Sequence, residues 1–509
     1  MESSQNTPVS ETKPVKKPKL WRYALAFLVL VLFWVVALEL WIRPGFLTIP
    51  GVAIAKRLGL YLVPPLLAVL AVYTLRVAYV RRKLGQREEQ AIEARLKEDA
   101  QRREVAAGQA AILVQKRFAL EILSLGMVVE YLRHEQVWEE LQSQKGNDPI
   151  LSSDSENYPS ALNDKEKSYR ERETEVLDRA LGWLTAEWAI PTFLAGPALH
   201  NPQMRDVLES NLTEALGYGE PPGRRLKVVA SIHDETPDLL LQRVFDFMDK
   251  YNEVPAVLLV AEDGLALREC LRAGDSPELL REGPRPQDAI IESVVAILLG
   301  RKDRLAAMRA FTQSDSAGED ALKPFWERDL AARSASAFTT SEWLPGAWSK
   351  ALLEGFSKLP VIGLLHRPQF MHFQGQGDAS RADSLKEAWE TALESLEEGG
   401  KNKHLFYDFG AVTQGTRLRP LARAMVALDP DFDVFDQGVN LHRRIGDTGA
   451  ACPYLGMALA AMASFRERGV STSVFLRREE GASLFMISPS LEIDGQAEKD
   501  PFEDAGELV

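Results

Sequence analysis

Two residues of this chain have side chains and surroundings suited to catalysis, and Cys452 is the first. It directly follows the glycine-rich segment Ile445–Ala451 and begins a predicted helix. A thiol at a helix start has a lowered pKa, which favours the nucleophilic thiolate. The alternative is that Cys452 is a small buried residue of a packed core. Cys270, the other cysteine, lies in the segment LRECL and is predicted to be an ordinary helix residue.

His233 is the second candidate, as an acid/base group beside Asp234 and Glu235. The alternative is a solvated histidine in a surface loop. The sequence contains no HExxH or CxxC pair, no Gly-x-Ser-x-Gly segment, no phosphate loop and no dinucleotide-binding glycine motif. We therefore predict no metal and no cofactor.

Composition limits the class of partner. The net charge is -13 and the pI is about 5.3, whereas a nucleic-acid-binding surface is normally basic. Nucleic acid is therefore excluded as a partner. Two cysteines in 509 residues also predict no disulfide framework and are compatible with a reducing compartment.

Two apolar runs near the amino terminus have the length of membrane spans. Tyr23–Ile42 has about the twenty residues that cross a bilayer, and Leu58 to about Val80 forms the second run, with a predicted lipid-buried part of Leu58–Leu75. A secretory signal peptide is the alternative for the first run. A buried core helix is the alternative for the second, which contains Pro64 and Pro65.

Basic residues at the ends of the two runs predict the orientation. Lysines and arginines are more frequent before the first run and after the second than in the loop between them. The pattern predicts a two-pass protein of a bacterial inner membrane, with its amino terminus and its large carboxy-terminal domain in the cytoplasm.

The chain divides by composition into five parts. We predict a disordered basic amino terminus (1–22), a two-helix membrane anchor (23–80), a helical connector (81–115), a soluble domain (116–490) and an acidic disordered tail (491–509). Residues 144–172, rich in Ser, Asn and Asp, are predicted to form a surface loop.

Alternating apolar patterns predict an α/β domain with mixed sheets. Leu226–Ile232 and Ala256–Val260 are predicted strands on either side of a helix over Leu239–Tyr251. Further strands are predicted at His404–Tyr407 and Phe432–Phe435, with helices over Arg419–Leu428 and Leu455–Arg468. Ser471–Leu476 and Ala482–Ile487 are predicted to form a closing hairpin.

Residues 117 to 488 resemble the thiolase and β-ketoacyl synthase superfamily. The opening FALEILSLGMVV at Phe118–Val129 is similar to the first synthase strand, and GDTGAA at Gly446–Ala451 is similar to the synthase Gly-His-Thr-x-Gly-Ala turn. The resemblance implies a layered α/β/α fold with doubled five-stranded sheets, and it implies that such domains often pair as homodimers.

The three positions that carry synthase chemistry differ in this chain. The resemblance places the nucleophile in the turn 233–237, which has no cysteine, and replaces the two catalytic histidines by Phe409 and Asp447. Thioester chemistry requires a thiolate and groups that stabilise an oxyanion. The resemblance therefore implies a pseudo-enzyme without catalytic residues.

Two membrane spans followed by a degenerate thiolase-like domain also resemble the type VI secretion lipase-adapter family. That resemblance implies a non-catalytic adapter that binds a lipase effector in the cytoplasm for loading onto the secretion spike. One alternative is a membrane-associated acyl-transfer or lipid-acting enzyme that uses Cys452 or His233. Another is a structural subunit of a membrane complex.

Overall fold

The computed structural model describes residues 20–37, 61–86, 117–143, 148–152, 162–181, 188–198, 226–273, 290–313, 350–396, 401–410, 415–490 and 501–502, apart from 235 and 376, with a few single residues between these ranges. The chain divides into two units, Met1–Ile112 and Leu113–Val509. Each unit is described separately below.

The first unit contains two apolar helices, α1 (Leu20–Ala37) and α2 (Tyr61–Gln86). The rings of Tyr23 and Tyr73 meet edge to face at 5.2 Å, so the two helices are in contact. Within the described residues, α2 alone has the length and composition to cross a membrane, and the apolar part of α1 is shorter. The end of the first predicted run, around residues 38–42, lies largely outside the described residues.

The second unit begins with six strands and the helices between them. The elements are β1 (Ala119–Val129), β2 (Leu132–Arg133), α3 (Glu135–Ser143), α4 (Leu162–Leu181), β3 (Ile190–Ala195), β4 (Leu226–Ile232), α5 (Leu240–Lys250), β5 (Ala256–Asp263), α6 (Leu265–Ala273), β6 (Ser293–Arg301) and α7 (Lys302–Gln313). A short 3-10 helix at Pro237–Leu239 leads into α5.

Six further strands complete the unit. The elements are α8 (Lys350–Lys358), β7 (Gly363–His366), β8 (Gln369–His372), α9 (Asp378–Glu394), β9 (Asn402–Asp408), α10 (Gly415–Leu428), β10 (Gly438–Asn440), α11 (Leu441–Arg444), α12 (Cys452–Glu467), β11 (Val470–Phe475) and β12 (Gly481–Ser488). The predicted hairpin is confirmed, because β11 and β12 pair antiparallel.

The strands form one mixed sheet with the order β10-β9-β11-β12-β7-β1-β6-β5-β3-β4. Read from its outer edge to the middle of the sheet, the first half has the strand order β4-β3-β5-β6-β1. The second half, read in the same way, has the order β10-β9-β11-β12-β7, so corresponding strands occupy the same places in both halves. In each half the fourth strand of this order, β6 or β12, runs antiparallel to both of its neighbours in the order. The resemblance implied two five-stranded sheets, whereas the structure joins two five-stranded halves into one sheet, because β1 pairs with β7.

Helix α12 lies at the centre of the unit. It contacts β7, β9, β11 and β12 of the second half and β1 and β6 of the first, and 14 of its 16 residues are buried. Its sequence is apolar on all sides, as expected of a helix that is covered all round. Gly456 is required for this packing, since a Cβ atom there would lie 2.4 Å from Ser473 Oγ.

Two sequence predictions were wrong. Residues 162–172, predicted as loop, begin helix α4, whose apolar residues Val176 and Leu177 are buried. Phe432–Phe435 is not a strand, because Asp429 and Asp433 accept hydrogen bonds from the backbone two residues further on and form turns there. The third strand of this half is instead β10.

Candidate functional site

The three segments that the synthase resemblance associated with catalysis have different surroundings in the fold. The turn 233–237 follows β4, Phe409 follows β9, and Asp447 lies in the turn before α12. Phe409 is 1% exposed and stacks on Tyr407 with ring centroids 5.8 Å apart, inside the core beneath α9 and α10. Its side chain therefore acts in packing.

Arg477 connects two of these segments. It follows β11, and its guanidinium forms a hydrogen-bonded ion pair with Asp408 through Nε and with Asp447 through Nη1, the latter at 2.5 Å. Asp408 is 1% exposed, so the first pair is almost entirely removed from water. The same guanidinium therefore fixes the end of β9 to the turn before α12.

The ion pair between Arg477 and Asp447 favours the charged forms of both groups. Burial alone would raise the pKa of Asp447, but Arg477 and the Gly449 N–H hold that pKa below its ordinary value. Burial alone would lower the pKa of Arg477, but Asp408 and Asp447 raise it above its ordinary value. An acid held ionised in this way is a poor proton donor near neutral pH.

Arg478, the next residue, connects the third segment. Its Nε lies 3.0 Å from Oδ2 of Asp238, which is 0% exposed in the 3-10 helix after the turn 233–237. Ser483 Oγ donates a hydrogen bond to the same Asp238 oxygen. Burial, only partly offset by Arg478, raises the pKa of Asp238. Tyr454 of α12 further ties this 3-10 helix to the body by donating a hydrogen bond to Pro237 O.

Asp263 ties the turn before α12 to the first half. It accepts two hydrogen bonds from the Arg268 guanidinium, at 2.6 and 2.7 Å, and one from the Ala450 N–H at 2.8 Å. Gly449 has φ +51°, and a Cβ atom there would lie 2.0 Å from Asp263 Oδ2. Glycine at 449 is thus needed both for backbone conformation and for close approach.

Cys452, the predicted candidate nucleophile, is 1% exposed. Burial and the nearby Asp408 raise the pKa of its thiol well above the ordinary value, and these effects outweigh Arg477. The groups that influence this thiol are Asp408, Arg477 and Thr448. The side chain of Cys270 lies outside the described residues.

His233 is half-buried where β4 ends, one residue before the exposed Asp234. Across the described ranges, no three His, Cys, Asp or Glu side chains are grouped so as to hold a metal ion.

A contact that the sequence did not predict joins His366 and Ser488. The Nε2 and Oγ atoms are 2.8 Å apart on β7 and β12, 122 residues apart in the chain. Burial, and to a lesser degree Lys302, lowers the pKa of His366 to about 4. The imidazole is therefore neutral at pH 7, but too weak a base for efficient proton abstraction there. No local sequence signal identifies such a distant pair.

Buried acids form a second cluster beside Asp263. The carboxyls of Glu173 on α4 and Glu262 on β5 contact each other, and burial raises the pKa of both. Burial also raises the pKa of Glu292 to about 7, although Arg172 lies 3.4 Å from it. Because these acids anchor α4 to the sheet, their protonation affects stability.

The arrangement as a whole is suited to holding loops in place. Each of the segments is tied by at least one buried ion pair or hydrogen bond to another part of the fold. Covalent acyl transfer instead requires an activated nucleophile and donors aimed at a developing oxyanion. At Cys452, burial and Asp408 instead raise the pKa of the thiol.

Comparison with solved structures gives similarities to ketosynthases. One is the ketosynthase from module 1 of the bacillaene synthase of Bacillus amyloliquefaciens, at 8% identity and a TM-score of 0.41, covering 74% of this chain and 77% of that one. Another is an oxazolomycin ketosynthase domain of Streptomyces albus, at 11% identity and a TM-score of 0.40, covering 73% and 96%.

Comparison with family models gives two matches in consecutive order. The model described as "Type VI lipase adapter protein Tla3, N-terminal" matches residues 118–282. The model described as "Type VI lipase adapter protein Tla3, C-terminal" matches residues 362–489. The first range holds β1 to β5 and the second holds β7 to β12, while β6 lies between them, and the two ranges together hold more than half of the 509 residues. The chain therefore belongs to the type VI lipase adapter family.

Proposed function

We propose that this protein is a non-catalytic, membrane-anchored adapter that binds a type VI secretion lipase effector in the bacterial cytoplasm. Its membership of the adapter family supports the choice of partner. In this proposal the adapter holds the lipase at the inner membrane until the lipase is loaded onto the spike.

The ion pairs of two consecutive residues, Arg477 and Arg478, support the proposal that the protein is not an enzyme. The two arginines bind Asp408, Asp447 and Asp238, which lie in or beside the three segments that the synthase resemblance associates with catalysis. A carboxylate that is paired with a guanidinium is neither a nucleophilic thiolate nor an oxyanion donor. The same ion pairs favour a rigid surface, which suits partner binding because less order is lost on association.

The competing function is an acyl-transfer or lipid-acting enzyme that uses Cys452 or His233. It requires a reactive thiolate at position 452, whereas burial and Asp408 oppose ionisation of this thiol.

We expect the Cys452→Ala variant to capture the lipase as well as the unmodified protein does. We also expect the Cys452 thiol of the folded protein to react with iodoacetamide at least about tenfold more slowly at pH 7.5 than after denaturation, since only the thiolate reacts. Mass spectrometry of the tryptic peptides measures both states, and the denatured protein is the matched control. Fast alkylation in the folded state together with loss of function in Cys452→Ala would support the enzyme.

The two helices of the first unit are the basis for proposing that the protein is attached to the membrane. Apolar side chains face outward along both helices, including Leu28 and Phe33 on α1 and Leu67 and Leu75 on α2. An exposed apolar surface of this size on a helix pair is stable in lipid and unfavourable in water. Two passes, with the amino terminus and the large domain in the cytoplasm, follow from the distribution of lysine and arginine.

We expect two arginines in the middle of α2, as in the double variant Leu67→Arg with Leu70→Arg, to release a large part of the protein from the membrane. A charged side chain at the bilayer centre costs on the order of 3 kcal/mol on insertion scales. The control is Leu84→Arg, next to Lys83 at the end of the same helix, where an arginine can reach the headgroups. Carbonate extraction and immunoblotting measure the membrane fraction, and equal extraction of both variants would contradict the anchor.

Affinity purification from membranes in mild detergent, followed by mass spectrometry, tests which partner the protein binds. The adapter is supported by recovery of a lipase, with or without a spike protein. Recovery of membrane components alone would instead support a structural subunit. Light scattering of the purified protein tests the homodimer that the synthase resemblance implied.

A further inference from the structure

A short segment near the carboxy terminus returns to the body. Pro501 and Phe502 are described, and Phe502 is 3% exposed within the main hydrophobic core. Its ring packs edge to face against Phe465 of α12 with centroids 5.5 Å apart. The acidic carboxy-terminal stretch therefore contains a residue for which the body has a fitted site.

Arginines surround this aromatic contact. Arg179 Nη2 donates a hydrogen bond to the Phe502 carbonyl oxygen at 2.7 Å, and the Arg466 guanidinium carbon lies 5.7 Å from the centroid of the Phe502 ring. Arg468 lies over the ring of Phe465 at 5.1 Å. We call Arg179, Phe465, Arg466 and Arg468 the Phe502 site.

The charge of the segment is complementary to that of the site. Residues 498–504 read EKDPFED, with four acids and one lysine. The site contributes three arginines, and Glu135 Oε2 lies 3.7 Å from Arg179 Nη2. In the sequence, acidic residues flank Phe502 on both sides, and the pocket that holds the Phe502 ring carries three arginines, a combination typical of peptide recognition.

The segment is separable from the sheet that forms the fold. The last strand, β12, ends at Ser488, and none of the strand pairings in the described ranges includes Pro501 or Phe502. The segment instead contacts α4 through Arg179 and α12 through Phe465 and Arg466. Removing it leaves both of those helices packed against strands of the body.

We propose that the Phe502 site is a recognition site for an acidic peptide segment with one aromatic side chain, occupied in cis by Phe502 of the same chain. A partner segment of this chemistry binds the site by displacing Phe502. The carboxy terminus is thus a built-in competitor that sets the concentration at which such a segment binds. This inference is independent of the proposed lipase adapter function.

The test measures binding of a fluorescein-labelled peptide of residues 498–506 by fluorescence anisotropy to the full-length protein in detergent. A tethered segment is present at an effective concentration of about 1 mM, so it weakens a site of about 10 μM affinity by about 100-fold. We therefore expect the full-length Phe502→Ala variant to bind the peptide about 100-fold more tightly than the unmodified protein does. A peptide with alanine at the Phe502 position should not bind.

The Phe502 site itself is tested in the same background. Adding Arg179→Met to Phe502→Ala should reduce peptide binding at least tenfold, because it removes the donor to the peptide carbonyl. Arg423→Met, a change of an exposed arginine on α10, should leave binding unchanged. Equal effects of the two changes would mean that the peptide binds by charge alone and would overturn the proposal.

A second variant keeps the test valid if Phe502→Ala does not fold. A protease site inserted between Leu491 and Ala497 allows the tail to be cut from protein that is already folded, and circular dichroism checks that the fold persists. Peptide binding that appears after cleavage supports the proposal. A folded, cleaved protein that binds the peptide no better than the uncut protein would overturn it.

Discussion

Replacing Arg477 with methionine is expected to destabilise the body by on the order of 3 to 5 kcal/mol, the usual cost of removing one partner from a buried ion pair. Methionine keeps much of the side-chain volume but leaves Asp408, which is 1% exposed, without its guanidinium. It also releases Asp447 in the turn before α12. Urea denaturation at pH 7, followed by tryptophan fluorescence, measures the loss.

The matched control is Arg423→Met on α10. Arg423 is exposed, and changes at such surface positions usually alter the free energy of unfolding by less than about 0.5 kcal/mol. The double variant Arg477→Met with Asp408→Asn should recover part of the loss, since the amide has no charge left unpaired. If Arg477→Met and Arg423→Met unfold at the same urea concentration, the ion pairs do not hold these segments together.

The Arg477→Met variant also distinguishes a catalytic role of this site from a role in holding loops in place. A catalytic residue can be replaced with little loss of stability, whereas a residue that fixes loops reduces stability and partner capture together. We expect Arg477→Met to capture less lipase in proportion to the folded fraction that remains. Normal capture by a strongly destabilised protein would indicate that the lipase binds elsewhere on the body.

Many strands and helices of the fold can be predicted from local patterns of apolar and polar residues in the sequence. The strand at Ala256–Asp263 is a continuous apolar run ending at charged residues, and the hairpin of β11 and β12 alternates across a turn, so both are predictable. Helix α4 was missed because its first half is almost entirely polar and follows a loop-like stretch. Its burial depends on β1 and β6, which are distant in sequence.

The site was predictable only in part. The glycine turn before α12 was identified from GDTGAA, and Gly446 and Gly449 do have positive φ angles of 112° and 51°. The ion pairs were not identified, because Arg477 lies 69 residues from Asp408 and 30 from Asp447. Charged residues at such separations become partners only once the strand order is known, and no local pattern encodes that order.

The buried acids give the second large expected effect. We expect Glu262→Gln to raise the free energy of unfolding more at pH 8 than at pH 5, because the extra proton bound by the folded state makes stability fall by up to about 1.4 kcal/mol per pH unit in the unmodified protein. Glu262 is 1% exposed, and burial together with the adjacent Glu173 raises its pKa well above the ordinary value. Glutamine resembles the protonated acid in shape but never ionises.

The direction of this effect follows from proton binding. Below about pH 4.5 Glu262 is protonated in the folded and in the unfolded chain, so its ionisation does not lower the free energy of unfolding there. Above that pH the unfolded chain loses the proton while the folded chain keeps it, and stability falls as the pH rises towards the raised pKa of the folded state. Glu292, whose pKa is raised to about 7 by burial, adds a loss of the same sign between about pH 4.5 and 7.

Glu262→Gln is a cleaner test than Glu292→Gln, because Glu292 also pairs with Arg172 and accepts a hydrogen bond from the Ala266 N–H. The glutamine amide at position 262 can donate a hydrogen bond to Glu173, which then ionises without a like charge beside it. The exposed Glu387→Gln on α9 is the control and should show the pH dependence of the unmodified protein. Parallel stability curves for Glu262→Gln and Glu387→Gln from pH 5 to 8 would mean that the Glu173 and Glu262 carboxyls are solvated, and that α4 is less firmly packed on the sheet than described.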